Sequence, residues 1–209
     1  MRLLFFGDSF TYGHGLPDCV YQDEGIMFAG SQPSKIGWAA MVSENLNLQY
    51  VNLSKPGASN LEIHWIIRHA NIDINDLVFI EWSYPNRSCL FRDQLVQIGP
   101  WVSEELSRLY YQLYSDDDIN NRNMLIIEHT ALFLDHIGAK WMFFAHDMMD
   151  IPVQLHCTIV DYFERYQCDV AMDGKHPGLK SNRAWADAVT NHAIDRLSDR
   201  PWSYGLPTR

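Results

Sequence analysis

The sequence is poor in positive charge: 16 Lys and Arg stand against 26 Asp and Glu, a formal net charge of −10. Such a field repels phosphate backbones and anionic headgroups, which argues against nucleic acid or a membrane as a partner. Long uncharged apolar runs are missing, so no segment reads as a membrane span. Near the N-terminus only Leu3–Phe6 is apolar before Asp8 intervenes, too short for the core of a signal peptide. Cysteine is scarce and scattered. Cys19, Cys89, Cys157 and Cys168 form no CxxC pair, which argues against a disulfide framework or structural zinc. Reduced thiols in a cytosol-like compartment follow as the expectation. There is no phosphate-cradling loop either, since "GDSFTYGHG" fits neither the Walker pattern nor GxGxxG. No cofactor is implied. Repeats, low-complexity tracts and linkers are also lacking, and the oligomeric state cannot be read.

What is present is a chain of 209 residues, 47% hydrophobic and 13% aromatic, enough for one domain over 1–209 with a full core. Short apolar runs alternate with helical spacing, the pattern of a parallel α/β sheet. Strands are predicted at Leu3–Phe6, Gln49–Leu53, Leu77–Trp82, Lys140–Ala145 and Cys168–Met172. Helices are predicted at Gly37–Leu46, Asn60–Ala70, Ser103–Leu113, Asn121–Ile137, Val153–Arg165 and Leu179–Leu197. The acidic run Asp116–Asp118 reads as a solvated loop. Residues 13–36 and 83–102 read as long irregular loops, which in a compact domain are usually functional.

Ligands of an open parallel sheet bind beyond the carboxyl ends of its strands. Each predicted strand there runs into small, polar or ionisable residues: Gly7-Asp8-Ser9, then "NLSKPGASN", "WSYPNR", His146-Asp147 and "DGKHPG". In the last, Asp173 lies three residues before His176 across a turn. A carboxylate held there can fix the imidazole tautomer and leave the other ring nitrogen free to take a proton. A hydroxyl needs such a base to become a nucleophile at neutral pH, and Ser9 is the hydroxyl best placed to meet it. The competing reading makes Ser9 a helix N-cap.

Arg87 is a candidate for gripping a substrate carboxylate or phosphate; the plainer reading pairs it with Asp8 or Glu81. Tyr12 and Trp82, with Phe10 and Tyr84, are candidates for a stacking wall, and core packing accounts for them equally well. His146, Asp147 and Asp150 match no metal-ligand spacing and read as rim residues or caps. The pairs His64/His69 and His129/His136 read as ordinary helix-surface histidines.

"FFGDSFTYG" resembles the first motif of the SGNH or GDSL hydrolases, "VNLSKPGASN" their glycine-bearing second block, and "DGKHPG" their terminal Asp-x-x-His. In place of the usual Gly-x-Asn-Asp, the third block here is "LVFIEWSYPNR", with Ser83 near the Asn position. The resemblance implies a three-layer α/β/α sandwich, flavodoxin-like, with a five-stranded parallel sheet, and a hydrolase acting on a small-molecule or glycan ester. It also implies Ser9 as nucleophile, His176 as base and Asp173 as its partner. The implied oxyanion hole takes the backbone N–H groups of Ser9 and Gly57, with Ser83 or Asn86 as the third donor. The altered third block leaves an alternative: a catalytically weak protein of the same fold that binds glycan or another small ligand. A flavodoxin-like cofactor protein is a third reading, resting on fold class alone.

Overall fold

The computed structural model describes residues 1–23, 26–93, 95–102, 105–146 and 159–199. Its centre is a parallel sheet of five strands in the order β4-β1-β5-β8-β9. These are β1 (Leu3–Phe6), β4 (Tyr50–Asn52), β5 (Leu77–Trp82), β8 (Lys140–Ala145) and β9 (Ile159–Tyr162). Numbered among themselves along the chain they run 2-1-3-4-5, the doubly wound order whose switch point lies between β1 and β5. Registers Leu3↔Leu77 and Leu77↔Lys140 start the three central strands level; β5 and β8 finish together at Trp82↔Ala145, and β1 ends two residues sooner, at Phe6↔Ile80.

Both faces of this sheet are covered, which is why its central strands are nearly continuous apolar runs rather than alternating ones. On one face Leu3, Phe5, Leu77, Phe79 and Phe144 pack with Trp38 of α2 (Trp38–Leu46) and Trp185 of α6 (Leu179–Asp199). Phe5 stacks on Phe79 with centroids 4.8 Å apart, and Phe79 continues to Phe144, a ladder of rings across three strands. On the other face Leu4, Phe6, Val78 and Ile80 meet Ile63 of α3 (Asn60–His69) and Ile127 of α5 (Asp116–Ile137). The fold is thus the expected three-layer α/β/α sandwich.

Several elements differ from the sequence-based expectation. The fifth strand is Ile159–Tyr162, not Cys168–Met172. The latter stretch makes only an isolated bridge between Val170 and Pro177. Asp169 within it accepts from the Lys180 and Ser181 backbone N–H groups that open α6, which commits it to capping rather than pairing. The helix expected over Val153–Arg165 is strand and then a 3-10 turn, Phe163–Tyr166, over its described part; residues 147–158 lie outside the described residues. "IVDY" is rich in residues that suit a pleated surface, and that local preference prevails.

The long loops also carry structure. Residues 13–36 contain a hairpin of β2 (Val20–Asp23) and β3 (Ile26–Ala29), and residues 83–102 one of β6 (Ser88–Phe91) and β7 (Leu95–Ile98). The acidic run at 116–118 is no loop; it is the first turn of α5. The Ser115 hydroxyl accepts from the Asp118 backbone, and Asp118 bonds back, a capping box. Carboxylates are favoured there because the helix N-terminus is electropositive. The remaining helix, α4, spans Glu105–Leu113.

Candidate active site

The chain leaves β1 through Gly7, whose missing Cβ makes room for Thr11: a methyl there would sit 2.3 Å from the Thr11 hydroxyl oxygen. α1 (Ser9–Tyr12) follows at once. Asp8, not Ser9, is its N-cap, with Oδ1 accepting from the Phe10 N–H at 2.9 Å. Ser9 is the first helical residue and is nearly buried at 4% exposure. The turn closes on Gly13, which takes the left-handed conformation at φ 80°.

The second block lies beside this turn. Lys55 N–H donates to the Gly7 carbonyl at 3.1 Å and the Asn52 amide to the Thr11 carbonyl at 2.8 Å. Gly57, half-buried with φ 73°, tops that loop under the Gln97 side chain. Gln97, from β7, bonds the Pro56 carbonyl and Glu62, so the second hairpin clamps the glycine loop.

Asp173 and His176 meet as their spacing predicts. Asp173 Oδ2 lies 2.5 Å from His176 Nδ1, while Oδ1 accepts from the backbone N–H groups of Lys175 and His176. Burial alone would raise the Asp173 carboxyl; those backbone donors and the imidazole outweigh it and hold the group below its ordinary range. It is therefore a carboxylate at neutral pH, and Nδ1 carries the proton it accepts.

The N-terminal segment delivers this pair to the Ser9 turn. The Met172 N–H donates to the Gly15 carbonyl at 3.0 Å. A Cβ on Gly15 would fall 2.8 Å from Asp173 Oδ1, and φ there is 85°, so a side chain is excluded twice over. His14 stacks on His176 with centroids 4.3 Å apart, and Phe10, the neighbour of Ser9, meets the same ring edge-on at 5.7 Å. Among the described residues no hydrogen bond joins the Ser9 hydroxyl to His176, whose Nδ1 alone is engaged, by Asp173.

Beneath the turn lies a buried ionic cluster. Asp8 Oδ2 receives Arg87 Nη1 at 2.6 Å and the Ser83 hydroxyl at 2.8 Å. His146 Nε2 stands 3.4 Å from the same oxygen, and its Nδ1 2.7 Å from Glu164. Burial disfavours the His146 cation, yet Asp8 and Glu164 outweigh it and push its pKa up to about 10. Burial and the neighbouring Asp8 push Glu81 up to about 8, against the pull of His146. Glu81, which accepts from the Thr11 hydroxyl, is thus protonated at neutral pH. Asp8 stays anionic, well below its ordinary range, because His146 and Arg87 override its burial. Two cations, Arg87 and His146, then face two anions, the buried Asp8 and the partly exposed Glu164.

The cluster revises several sequence-based assignments. Ser83 has no free hydroxyl for an oxyanion hole: it donates to Asp8 and accepts from Arg87, and its backbone is bracketed by the Asn60 amide. Asn86 is exposed, its carbonyl accepting from the Tyr111 hydroxyl. Arg87 takes the plainer of its two readings, the pair with Asp8. His146 is fully buried rather than a rim residue, and Asp147 and Asp150 lie outside the described residues. Trp82 is a core residue against Phe143, and Tyr12 is buried with its hydroxyl on the Gly30 carbonyl. Neither forms a wall of the site. The sequence reading passed over His14 and Glu164. It named Glu81 only as an alternative partner for Arg87, although a lone charge inside "LVFIEW" signals a buried group that needs partners.

His14, Asp173 and His176 present ligand-type atoms within 4.8 Å of one another. The two imidazoles stack 29° from parallel, and His176 Nδ1 already engages Asp173.

No protein-family model and no curated protein sequence matches this chain. Solved structures do. A carbohydrate esterase described as having "divergent catalytic and non-catalytic binding functions" superposes at TM-score 0.61 and 11% identity, covering 94% of this chain. The chain spans 65% of that protein's length. A putative G-D-S-L family lipolytic protein from Desulfitobacterium hafniense matches at TM-score 0.54 and 9% identity, over 91% of this chain and 98% of its own. An acetyl xylan esterase from Butyrivibrio proteoclasticus matches at TM-score 0.56 and 11% identity, over 97% of this chain and 65% of its own. The fold is that of the SGNH/GDSL esterases and acylhydrolases, and the central sheet order agrees with it.

Proposed function

We propose that this protein is a serine hydrolase that cleaves a carboxylic ester or O-acyl group through an acyl-serine intermediate. The observation that carries the reading is the Asp173–His176 pair, 2.5 Å apart, packed by Phe10 and His14 against the turn that bears Ser9. Ser9 Oγ attacks the acyl carbon as His176 Nε2 takes its proton. The imidazolium, steadied by Asp173, then protonates the departing alcohol, and water repeats the cycle to release the acid. The backbone N–H groups of Ser9 and Gly57 serve the developing oxyanion. With Ser83 committed to Asp8, this hole has two donors instead of three, a loss worth roughly 3 to 4 kcal/mol of transition-state stabilisation. A slow esterase is the consequence. The names of the structural neighbours support a glycan ester among candidate substrates.

The test is hydrolysis of p-nitrophenyl acetate by wild type and Ser9→Ala, with fluorophosphonate labelling of Ser9. Turnover and labelling that vanish with the substitution support the reading; equal turnover overturns the nucleophile. The committed Ser83 hydroxyl motivates one rival, a glycan-binding protein on the same fold. Absence of labelling in folded wild type would favour it.

A further inference from the structure

Asp8 divides its two oxygens between two tasks. Oδ1 caps α1 through the Phe10 N–H, and Oδ2 is the meeting point of Arg87 Nη1, the Ser83 hydroxyl and His146. The orientation of the carboxylate, and with it the first turn of the four-residue α1, therefore rests on what grips Oδ2. A helix this short has too few internal hydrogen bonds to hold its own shape. Arg87 makes the shortest contact, and its guanidinium is itself fixed. It lies between two aromatic faces, 4.9 Å from the Tyr84 centroid and 4.7 Å from that of Trp101. Tyr84 stacks in turn on His146 at 4.1 Å. Trp101 is held flat over Gly99, where a Cβ would come within 2.6 Å of the indole. Of these residues, Ser83, Tyr84 and Arg87 lie in the stretch in which the third block departs from the Gly-x-Asn-Asp pattern.

We propose that Arg87 is a positioning residue that acts through Asp8 to fix the turn carrying Ser9, and that the aromatic slot around it is a binding site for a planar guanidinium cation. The catalytic part of this inference rests on the hydrolase reading; the structural part does not. Arg87 acts on a group that touches Ser9's neighbour, so its removal slows the chemical step and leaves substrate binding largely alone. Asp8, Ser83 and the two rings remain when the side chain is cut back. A small guanidinium from solution then has both an anion to pair with and faces to stack on.

The experiment is Arg87→Ala assayed with and without millimolar ethylguanidinium, with ammonium at equal concentration as the control. Expected is a fall in kcat of roughly tenfold to a hundredfold at a KM within about twofold, recovered several-fold by ethylguanidinium and not by ammonium. A kcat equal to wild type, or recovery by both cations alike, overturns the proposal. Should Arg87→Ala fail to fold, the double variant Asp8→Asn with Arg87→Met leaves no unpaired charge. It is expected to fold with lowered kcat, and wild-type kcat in it overturns the proposal. Amide hydrogen exchange of residues 7–13 reads the turn with no substrate at all. Faster exchange in Arg87→Ala, reversed by ethylguanidinium, supports the positioning even if wild type proves inert to esters and unlabelled at Ser9, in which case the hydrolase reading alone fails. Unchanged exchange overturns the positioning whatever the ester assay shows.

Discussion

The two carboxylates flanking the Ser9 turn are built in opposite ways. Asp173 is local: it bonds an imidazole three residues on and two backbone N–H groups in the same turn, at the surface end of the sheet. Asp8 is non-local: its partners Ser83, Arg87 and His146 come from the segments that follow β5 and β8, and Asp8, Ser83 and His146 are buried. A local, partly solvated pair can be removed without upsetting the rest. A buried one cannot, because whichever partner remains becomes an uncompensated charge in a dry interior. Function and stability are thus expected to separate between the two carboxylates.

The sharpest break in that contrast is Asp173→Asn. It is expected to lower kcat by roughly 10⁴-fold through loss of the correct tautomer and imidazolium stabilisation, with the thermal midpoint nearly unchanged. Large unfolding instead would mean that the Asp173 turn is as structural as the cluster below it. Asp8→Ala should behave the other way, destabilising by about 3 to 5 kcal/mol in urea titrations because Arg87 and His146 lose their shared anion. A near-wild-type midpoint would show the cluster to be wetter than the structure has it.

The pH dependence of stability sharpens the comparison. His146 is raised from 6.5 to about 10, so its contribution is complete below pH 6.5 and is lost as pH climbs through 10. Glu81, raised from 4.5 to about 8, adds a loss between those values. The groups facing His146 are Asp8, Glu81, Glu164, Tyr84 and Phe10. Asp173 is lowered from 3.8, and its contribution is present above that value and is lost only as pH falls below it. Stability should therefore fall by a few kcal/mol from pH 6.5 to 10, and His146→Gln should flatten that limb while leaving the acid limb in place. Thermal melts across the range check this. The smallest effect is Gly15→Ala, which forces φ 85° on a side-chain residue and crowds Asp173. A loss of about 1 to 3 kcal/mol is expected, with kcat falling as the Asp173–His176 turn is pushed back.

The same division governs what could be read in advance. β1, β5 and β8 appear with the boundaries their apolar runs predict, because strands covered on both faces leave an unambiguous signal. The misplaced fifth strand shows where that signal ends. "CDVAM" and "IVDY" are both short and mixed, and the choice turned on Asp169 being spent on the start of α6. The start of α5 was legible and passed over, since Ser115 and Asp118 spell a capping box in three-residue spacing. The contact between Asp173 and His176 was legible for the same reason as the strands: it is written at short range.

The cluster under Ser9 was not. The amino-acid order alone specified the sheet's central strands, its two apolar faces and the Asp173–His176 turn, because each is governed by residues a few positions apart. It left open which of Ser83, Asn86, Arg87 and His146 would stay at the surface and which would sink into the interior. Folding settled that by bringing residues more than 70 positions apart into a dry pocket, where only a balanced set of charges is tolerable.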